Sequence, residues 1–417
     1  MRKLILLALL AAMVLPAGAA RRLTVAQLEK TLEAAHEKHR ADEELVYLLG
    51  EAELTERLTD ATRERITASL HPGPKAALAL QLLADQSAFF DPPAAELPAA
   101  PAPDAATAQR ILDAARGFVV KTLPHLPDFF ATRTTYSFDS SPQVLKAHEW
   151  PVRAGLHLVG NSSREITFRD DQLQPPAPQP AKAAPGSPAP PAPERGLQTR
   201  GEFGMILAMI FVDTGKGELS FHHWEQGSGG LIAIYRYSVP KSASQYTVDY
   251  CCIAFGTGGG GRAGGRRGGG GSAPPVNPPP DASNSFHKTP GYHGSLFIDP
   301  ASGAILRLTL EADLGSGPVA RMASAIEYGP VVIGDRKYIC PLRSLALTEA
   351  QDASSFGNFA VATDPYTGVS TIVQVNETFF TDYHRLGSTA RILTDAEAPP
   401  SAQAPLPAQA PTPVSPP

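Results

Sequence analysis

The sequence predicts an α+β protein: a curved antiparallel sheet, a half-barrel with covering helices, preceded by a small all-α N-terminal region. Three observations carry this. Apolar residues recur at helical spacing through residues 23–91; from Phe129 onward the spacing falls to two; and the later apolar runs are joined by short turns, as antiparallel strands are. The 417 residues would suggest two or three domains by length alone, but 41 prolines and 36 glycines gather in tracts that cannot pack. What remains suffices for one good core and a small helical region.

Taken in chain order, residues 1–19 read as a signal peptide. Arg2 and Lys3 precede an apolar run from Leu4 to Leu15, and Ala17-Gly18-Ala19 meets the small-x-small rule for cleavage. The run is shorter than the ~20 residues that span a bilayer, and no later stretch reaches that length, so no membrane span is expected. The location expected is outside the cytoplasm, periplasmic or extracellular. The formal net charge of −5 leaves no electrostatic footprint for nucleic acid. Three cysteines are too few for a disulfide framework. Cys340 could pair with Cys251 or Cys252, or all three could serve as small buried hydrophobes.

Thr24 and Gln27 form a capping box ahead of Leu28, Leu32 and Ala35, one face of a first helix. A second helical run carries Leu45, Leu48, Leu49 and Ala52. A third has Leu54, Leu58, Ala61 and Ile66, ending before His71-Pro72-Gly73-Pro74, and a fourth has Ala76, Leu80, Leu83 and Phe89. Residues 92–106 read as a Pro/Ala linker. Residues 107–395 form the sheet domain. It begins with a helix capped by Asp104 or Thr107 that shows Ile111, Leu112, Ala115, Phe118 and Val119 on one side.

Alternation then sets in. Phe130, Thr132, Thr134, Tyr136 and Phe138 mark a half-buried strand. Leu156–Val159 and Glu165–Phe168 read as two more. Phe203–Val212 is an apolar run of helical length. Leu219, Phe221 and His223 share a strand face with Trp224 on the other, and Ile232–Val239 and Tyr246–Tyr250 follow. Ser295–Ile298, a turn at 299–303, and Ile305–Ala312 make the clearest hairpin. Ala323–Tyr328, Val331–Ile333, Lys337–Leu347 and Val369–Tyr383 complete about nine strands. Residues 174–194 and 256–290 read as disordered insertions, and 396–417 as a disordered Pro-rich tail. A sheet that long curls to protect its edges, and helices on its concave side can enclose an apolar cavity.

The hairpin Gly294-Ser295-Leu296-Phe297-Ile298-Asp299-Pro300-Ala301-Ser302-Gly303-Ala304-Ile305-Leu306-Arg307-Leu308 resembles one in the periplasmic lipoprotein-carrier superfamily, the LolA/LolB/RseB-like fold. There a strand ends in Asp, a Ser-Gly or Thr-Gly turn leads on, and a basic residue follows the apolar start of the next strand. Ile326-Glu327-Tyr328-Gly329-Pro330-Val331-Val332-Ile333-Gly334-Asp335 with Arg336–Pro341 is similar to that fold's next hairpin, and Phe380–Arg385 resembles a closing strand. The chain as a whole resembles a family of exported soil-bacterial proteins, which implies no particular activity. The carrier resemblance implies a curled sheet whose leucine face lines a cavity. Leu296, Ile298, Leu306, Leu308 and Leu310 would share that face with Ile326 and Tyr328, leaving Phe297, Ile305, Arg307 and Thr309 opposite.

The expected role is therefore non-catalytic: an envelope protein that binds a lipid-like or hydrophobic ligand, or a partner protein. An exported hydrolase and a structural scaffold with partner-binding helices are the alternatives. The chemistry-bearing residues do not assemble into a complete set on paper. His222 and His223 are adjacent, and adjacent strand residues face opposite ways, so only His223 and Glu225 share a side. His287, His293 or His384 would be needed as a third ligand. Asp382, His384 and Ser388 lack the sharp elbow a nucleophile requires. Gly258–Gly271 lacks the Gly-Lys-Ser/Thr of a phosphate loop. The expectation is no cofactor, no metal and no catalytic residue.

Overall fold

The computed structural model describes residues 21–121, 125–141, 155–175, 196–197, 199–251, 286–317, 319–351 and 371–387. The signal peptide, most of both insertions and the C-terminal tail lie outside the described residues.

The N-terminal region holds α1 (Val25–Glu37), α2 (Asp42–Gly50), α3 (Asp60–Leu70) and α4 (Pro74–Ser87). The capping box forms in both directions. Thr24 Oγ accepts from the Gln27 amide at 3.2 Å, and the Thr24 amide donates to Gln27 Oε1 at 3.0 Å, satisfying two backbone donors that the helix itself cannot. Leu28, Leu32 and Ala35 are buried as their spacing requires. The second and third runs end and begin differently from the expectation. Between them Ala52–Leu54 forms a strand, β2, parallel to β1 (Arg21–Leu23). Three-residue strands carry no readable periodicity, so the apolar Ala52 and Leu54 merge with the helical pattern on either side. Thr59, not Leu54, opens α3, its hydroxyl accepting from the Thr62 amide. Leu28, Leu32, Leu49, Leu54, Leu58, Ile66, Leu80 and Leu83 make one core among these elements.

Residues 92–104 carry a single helical turn at Ala94–Glu96, and Glu96 ties the segment back to α3 by accepting from Thr59 and Thr62 at 2.6 and 2.9 Å. The helix α5 (Ala105–Lys121) follows, capped by Asp104, whose Oδ1 accepts from the Thr107 amide at 2.7 Å.

The main sheet has ten antiparallel strands. In chain order they are β3 (Phe129–Asp139), β4 (His157–Arg169), β5 (Gln172–Leu173), β7 (Glu218–Gly227), β8 (Gly230–Val239), β11 (Gly291–Ile298), β12 (Ile305–Asp313), β13 (Val319–Ile333), β14 (Arg336–Gln351) and β15 (Thr371–Arg385). Their spatial order is β5-β4-β3-β15-β14-β13-β12-β11-β8-β7. β15, the last strand of the described residues, thus lies inside the sheet, paired with β14 on one side and β3 on the other. A second, three-stranded sheet joins β6 (Gly196–Leu197), β9 (Val248–Cys251) and β10 (Phe286–Lys288). β10 falls within the stretch expected to be a disordered insertion; Phe286 is buried among Val248, Tyr250 and Leu314, which gives those residues a reason to order.

Several strand expectations change in detail. The two strands expected at 156–159 and 165–168 are one, β4, and those at 323–328 and 331–333 are one, β13, irregular at Glu327/Tyr328. In β3 the alternation holds with the opposite phase: Phe129, Ala131, Arg133 and Thr135 are buried while Phe130, Thr132 and Thr134 are half-exposed. An irregularity at Ser137/Phe138 then returns Phe138 to the interior.

One face of the sheet is covered by α5 and by α6 (Met205–Asp213), which begins after Gly204 at φ 109°, a conformation that favours glycine. Ile111, Leu112, Ala115, Ile206, Leu207 and Ile210 pack there against Tyr235, Tyr292, Leu296, Leu308 and Ile326. The opposite face takes α4: Leu82 and Ala88 pack on Phe138, Ala325, Leu345, Leu347 and Val375. At the far end Phe129, Phe168, Phe203, Phe380, Tyr383 and Cys340 gather. Cys340 is a free thiol there, fully buried, and burial pushes its pKa up to about 12. It serves as a small hydrophobe and not as a disulfide partner.

Candidate functional site

The residues expected to line a cavity are brought together, with one exchange. Leu296, Ile298, Leu308, Leu310, Ile326 and Tyr328 belong to one cluster. Leu306 does not. The register slips between Phe297 and Ile298 at the end of the hairpin, so that Ile298 pairs with Ile305, and Ile305 takes the place that strict alternation assigns to Leu306. The face is also filled. Leu207 and Ile210 of α6 seat on it with no exposure of their own, and Leu296, Ile298, Leu308 and Leu310 are fully buried. The tyrosines among them satisfy their hydroxyls inside: Tyr237 donates to Thr309 O at 2.7 Å, Tyr292 to Asp213 Oδ2 at 2.9 Å and Tyr328 to Glu202 O at 3.0 Å. This is a packed core with its polar handles tied, not an open lining.

The outer side of the same layer is different. α6 reads Met-Ile-Leu-Ala-Met-Ile-Phe-Val before Asp213, apolar on every side. Ile206, Leu207 and Ile210 point inward, while Met205 is 72% and Val212 64% exposed. Ala208 is exposed between them and Met209 half-buried. At i, i+3, i+4 and i+7 these four make one outward stripe without a polar side chain. A helix apolar all round is ordinarily covered all round.

The second candidate lies at the β7 edge of the sheet, on the face turned toward the N-terminal helices. The strand β7 is irregular between Phe221 and His223: Phe221 pairs with Tyr235 and His223 with Ile234, so His222 is an extra residue. Two consequences overturn the expected geometry. Phe221 and Trp224 meet on the same side, ring centroids 5.1 Å apart and the planes tilted by 60°. And the adjacent histidines, whose side chains a regular strand would send apart, bring their rings to 4.7 Å. Asp91, just beyond α4, faces them: its Oδ2 lies 3.6 Å from His222 Nε2 and 2.5 Å from Arg236 Nη2.

Behind this group, His223 Nε2 and Glu225 Oε1 are 3.0 Å apart, and Glu225 is paired with Arg57. The Arg57 amide donates to Asp91 O at 2.8 Å, joining the two halves of the cluster through the backbone. Arg57 and Arg307 both lie over the Phe297 ring, at 5.3 and 5.1 Å. Burial raises the Glu225 carboxyl, but the His223 hydrogen bond and the Arg57 charge outweigh it and hold the group below its ordinary range. Asp91 is lowered likewise, its burial outweighed by Arg236. His222 is lowered by burial and by the Arg236 charge, more than Asp91 raises it.

The other expected ligands are elsewhere. His287 is paired with Asp249, and His293 with Asp313 at 2.9 Å. Asp382 sits at positive φ (51°) in another irregularity and accepts from Thr381, and His384 is exposed beyond it; Ser388 lies outside the described residues. Sequence reasoning missed Asp91, Arg57 and Arg236, which lie on separate elements with no spacing to link them. The pair His222-His223 was the one visible signal. No helix of the described residues is long and apolar enough to cross a membrane. Comparison with known proteins gives no match: no protein family, no curated relative and no solved structure aligns with this chain.

Proposed function

We propose that the chain is an exported, non-catalytic binding protein, and that it takes a lipid-like ligand on the outer surface of its α5–α6 layer. The observation that carries this is the stripe Met205, Ala208, Met209 and Val212, aliphatic and thioether groups turned outward with no hydrogen-bonding partner to offer a polar ligand. Val120 at the end of α5 is 71% exposed as well. The reading keeps the hydrophobic ligand that the carrier resemblance implies, and a half-barrel curvature of the sheet beneath the helices, but moves the contact from the sheet interior to the helices that fill it.

A fluorescent acyl probe and phosphatidylcholine vesicles should bind the folded protein. Covering Met205 and Val212 would contribute on the order of 1.5–3 kcal/mol for each fully buried side chain. Met205→Asp with Val212→Asp should therefore weaken probe binding at least about tenfold while shifting stability by no more than about 0.5 kcal/mol, because both sites are exposed. Folded wild-type protein that ignores probe and vesicles would overturn the reading.

Export rests on the basic start, the apolar run and Ala17-Gly18-Ala19. The mature N-terminus should be Ala20 or Arg21. Terminal sequencing of the extracytoplasmic form that returned Met1 would contradict it.

A further inference from the structure

We propose that Asp91, His222 and His223 bind one divalent transition-metal ion of the zinc class, with Glu225 orienting His223 from behind. One ligand atom from each of the three residues lies within 4.8 Å of those of the other two. A point central to three atoms so spaced is at most about 2.8 Å from each, so modest side-chain rotations bring all three to the ~2.0–2.2 Å of zinc–nitrogen and zinc–carboxylate bonds. Two imidazoles with one carboxylate is a donor set suited to zinc and its neighbours, and too nitrogen-rich for calcium or magnesium.

Three features distinguish this cluster from charged side chains that merely meet on a surface. The extra residue at Phe221/His223 is what turns neighbouring histidines to one side; a regular strand could not offer both. His223 Nε2 is engaged by Glu225, itself half-buried and paired with Arg57, which leaves Nδ1 for the ion. A histidine bound through one nitrogen and held by a carboxylate through the other is the usual arrangement around a protein-bound metal. Finally, Asp91 and His222 are exposed, so the ion has a direct path from solvent, and three protein ligands leave a position open to water or to a group from a partner.

Arg236 is the internal competitor. It holds Asp91 Oδ2 at 2.5 Å, leaving the second carboxylate oxygen for the ion at the cost of electrostatic repulsion. The proposal goes beyond the lipid-binding reading and does not depend on it, since neither α5 nor α6 contributes a ligand.

The test uses the full-length mature protein, without a histidine tag and stripped of metal. Zinc titrated by calorimetry should bind in one equivalent, and cobalt should give the visible absorption of a four- or five-coordinate site. His222→Gln with His223→Gln should weaken zinc about 100-fold and remove the cobalt spectrum, and Asp91→Asn and Glu225→Gln should each weaken zinc about tenfold or more. Arg236→Met should tighten it severalfold. His222 and Asp91 are exposed, so Asp91→Asn and a single His222→Gln keep the wild-type melting transition, whereas Glu225→Gln leaves buried Arg57 without its carboxylate and is titrated well below its own, lower transition, which the same samples verify. Wild-type protein that takes up no zinc, or a double-histidine variant that keeps the stoichiometric site, would overturn the proposal. So would an Arg236→Met variant that binds more weakly than wild type.

Discussion

Leu308→Asp is expected to abolish cooperative folding of the sheet. Leu308 is fully buried. It pairs with Leu296 on one side and Ile326 on the other, beneath the α5–α6 layer. The substitution forfeits about 1.5–3 kcal/mol of apolar burial and places a carboxylate inside a fully buried apolar cluster, several kcal/mol more. Against a typical total of about 5–15 kcal/mol that is decisive. Denaturant unfolding followed by circular dichroism should show no native baseline at neutral pH. Leu306→Asp is the matched control. It stands two residues away along the same strand, and strict alternation would make it equivalent, but Leu306 is only half-buried and outside the cluster, so this variant should retain a cooperative transition. Equal damage from both would show that the register slip at Ile298 and Ile305 is wrong.

The second large effect is expected at Arg343, which fastens the helical region to the sheet. Its guanidinium meets Asp85 of α4, Glu377 of β15 at 2.7 Å and Glu327 of β13 at 3.4 Å. Burial alone would lower the Arg343 pKa; the three carboxylates outweigh that and raise it. Removing this half-buried cation strands the buried carboxylates of Asp85 and Glu377, at a cost of about 3–5 kcal/mol. Arg343→Met should lose about that much stability at pH 7 and recover part of it near pH 5, where Asp85, its carboxyl already raised to about 6, takes up a proton. A variant as stable as wild type at pH 7 would contradict this account.

Asp85 sets the sign of the pH dependence. Burial raises its pKa to about 6, more than Arg343 lowers it, and Glu377 and Glu327 add to the rise. One of its oxygens, Oδ2, is buried without a hydrogen-bond partner. The native state therefore binds this proton more tightly than the unfolded chain, whose aspartates titrate near 3.9. The contribution is complete below about pH 4 and is lost as pH rises through about 6, opposite to the usual salt-bridged aspartate. Asp85→Asn should flatten the stability profile across that window.

What the sequence made legible was local. The Thr24 capping box, the α5 face and the hairpin at 291–313 are written in adjacent residues, and each formed close to its expected bounds. Irregularities of one residue were not legible, because they alter which side a chain presents without altering composition. One such residue, His222, separates an impossible histidine pair from a possible one. The apolar run at 203–212 read as a helix, yet nothing in it told which side would be covered, since every side is apolar. Pairings between distant segments were out of reach as well. β3 and β15 carry no complementary signal that would single out one another, and Asp91 meets His222 only because α4 docks on the sheet.

The interior position of β15 has a consequence for how the protein is made. During synthesis β3, β4 and β5 emerge early and can zip together, and β7 to β14 can follow as a second ladder, but the strand that joins them comes after all the other described strands. At about 5–20 residues per second the first group waits ten seconds or longer with the β3 edge bare, and the β14 edge is bare until Arg385 has emerged. Bare edges of that length recruit other chains. A nascent polypeptide of this design is safest when held extended until Arg385 has emerged, and a ribosome that stalls before Thr371 leaves two half-sheets without the strand that joins them.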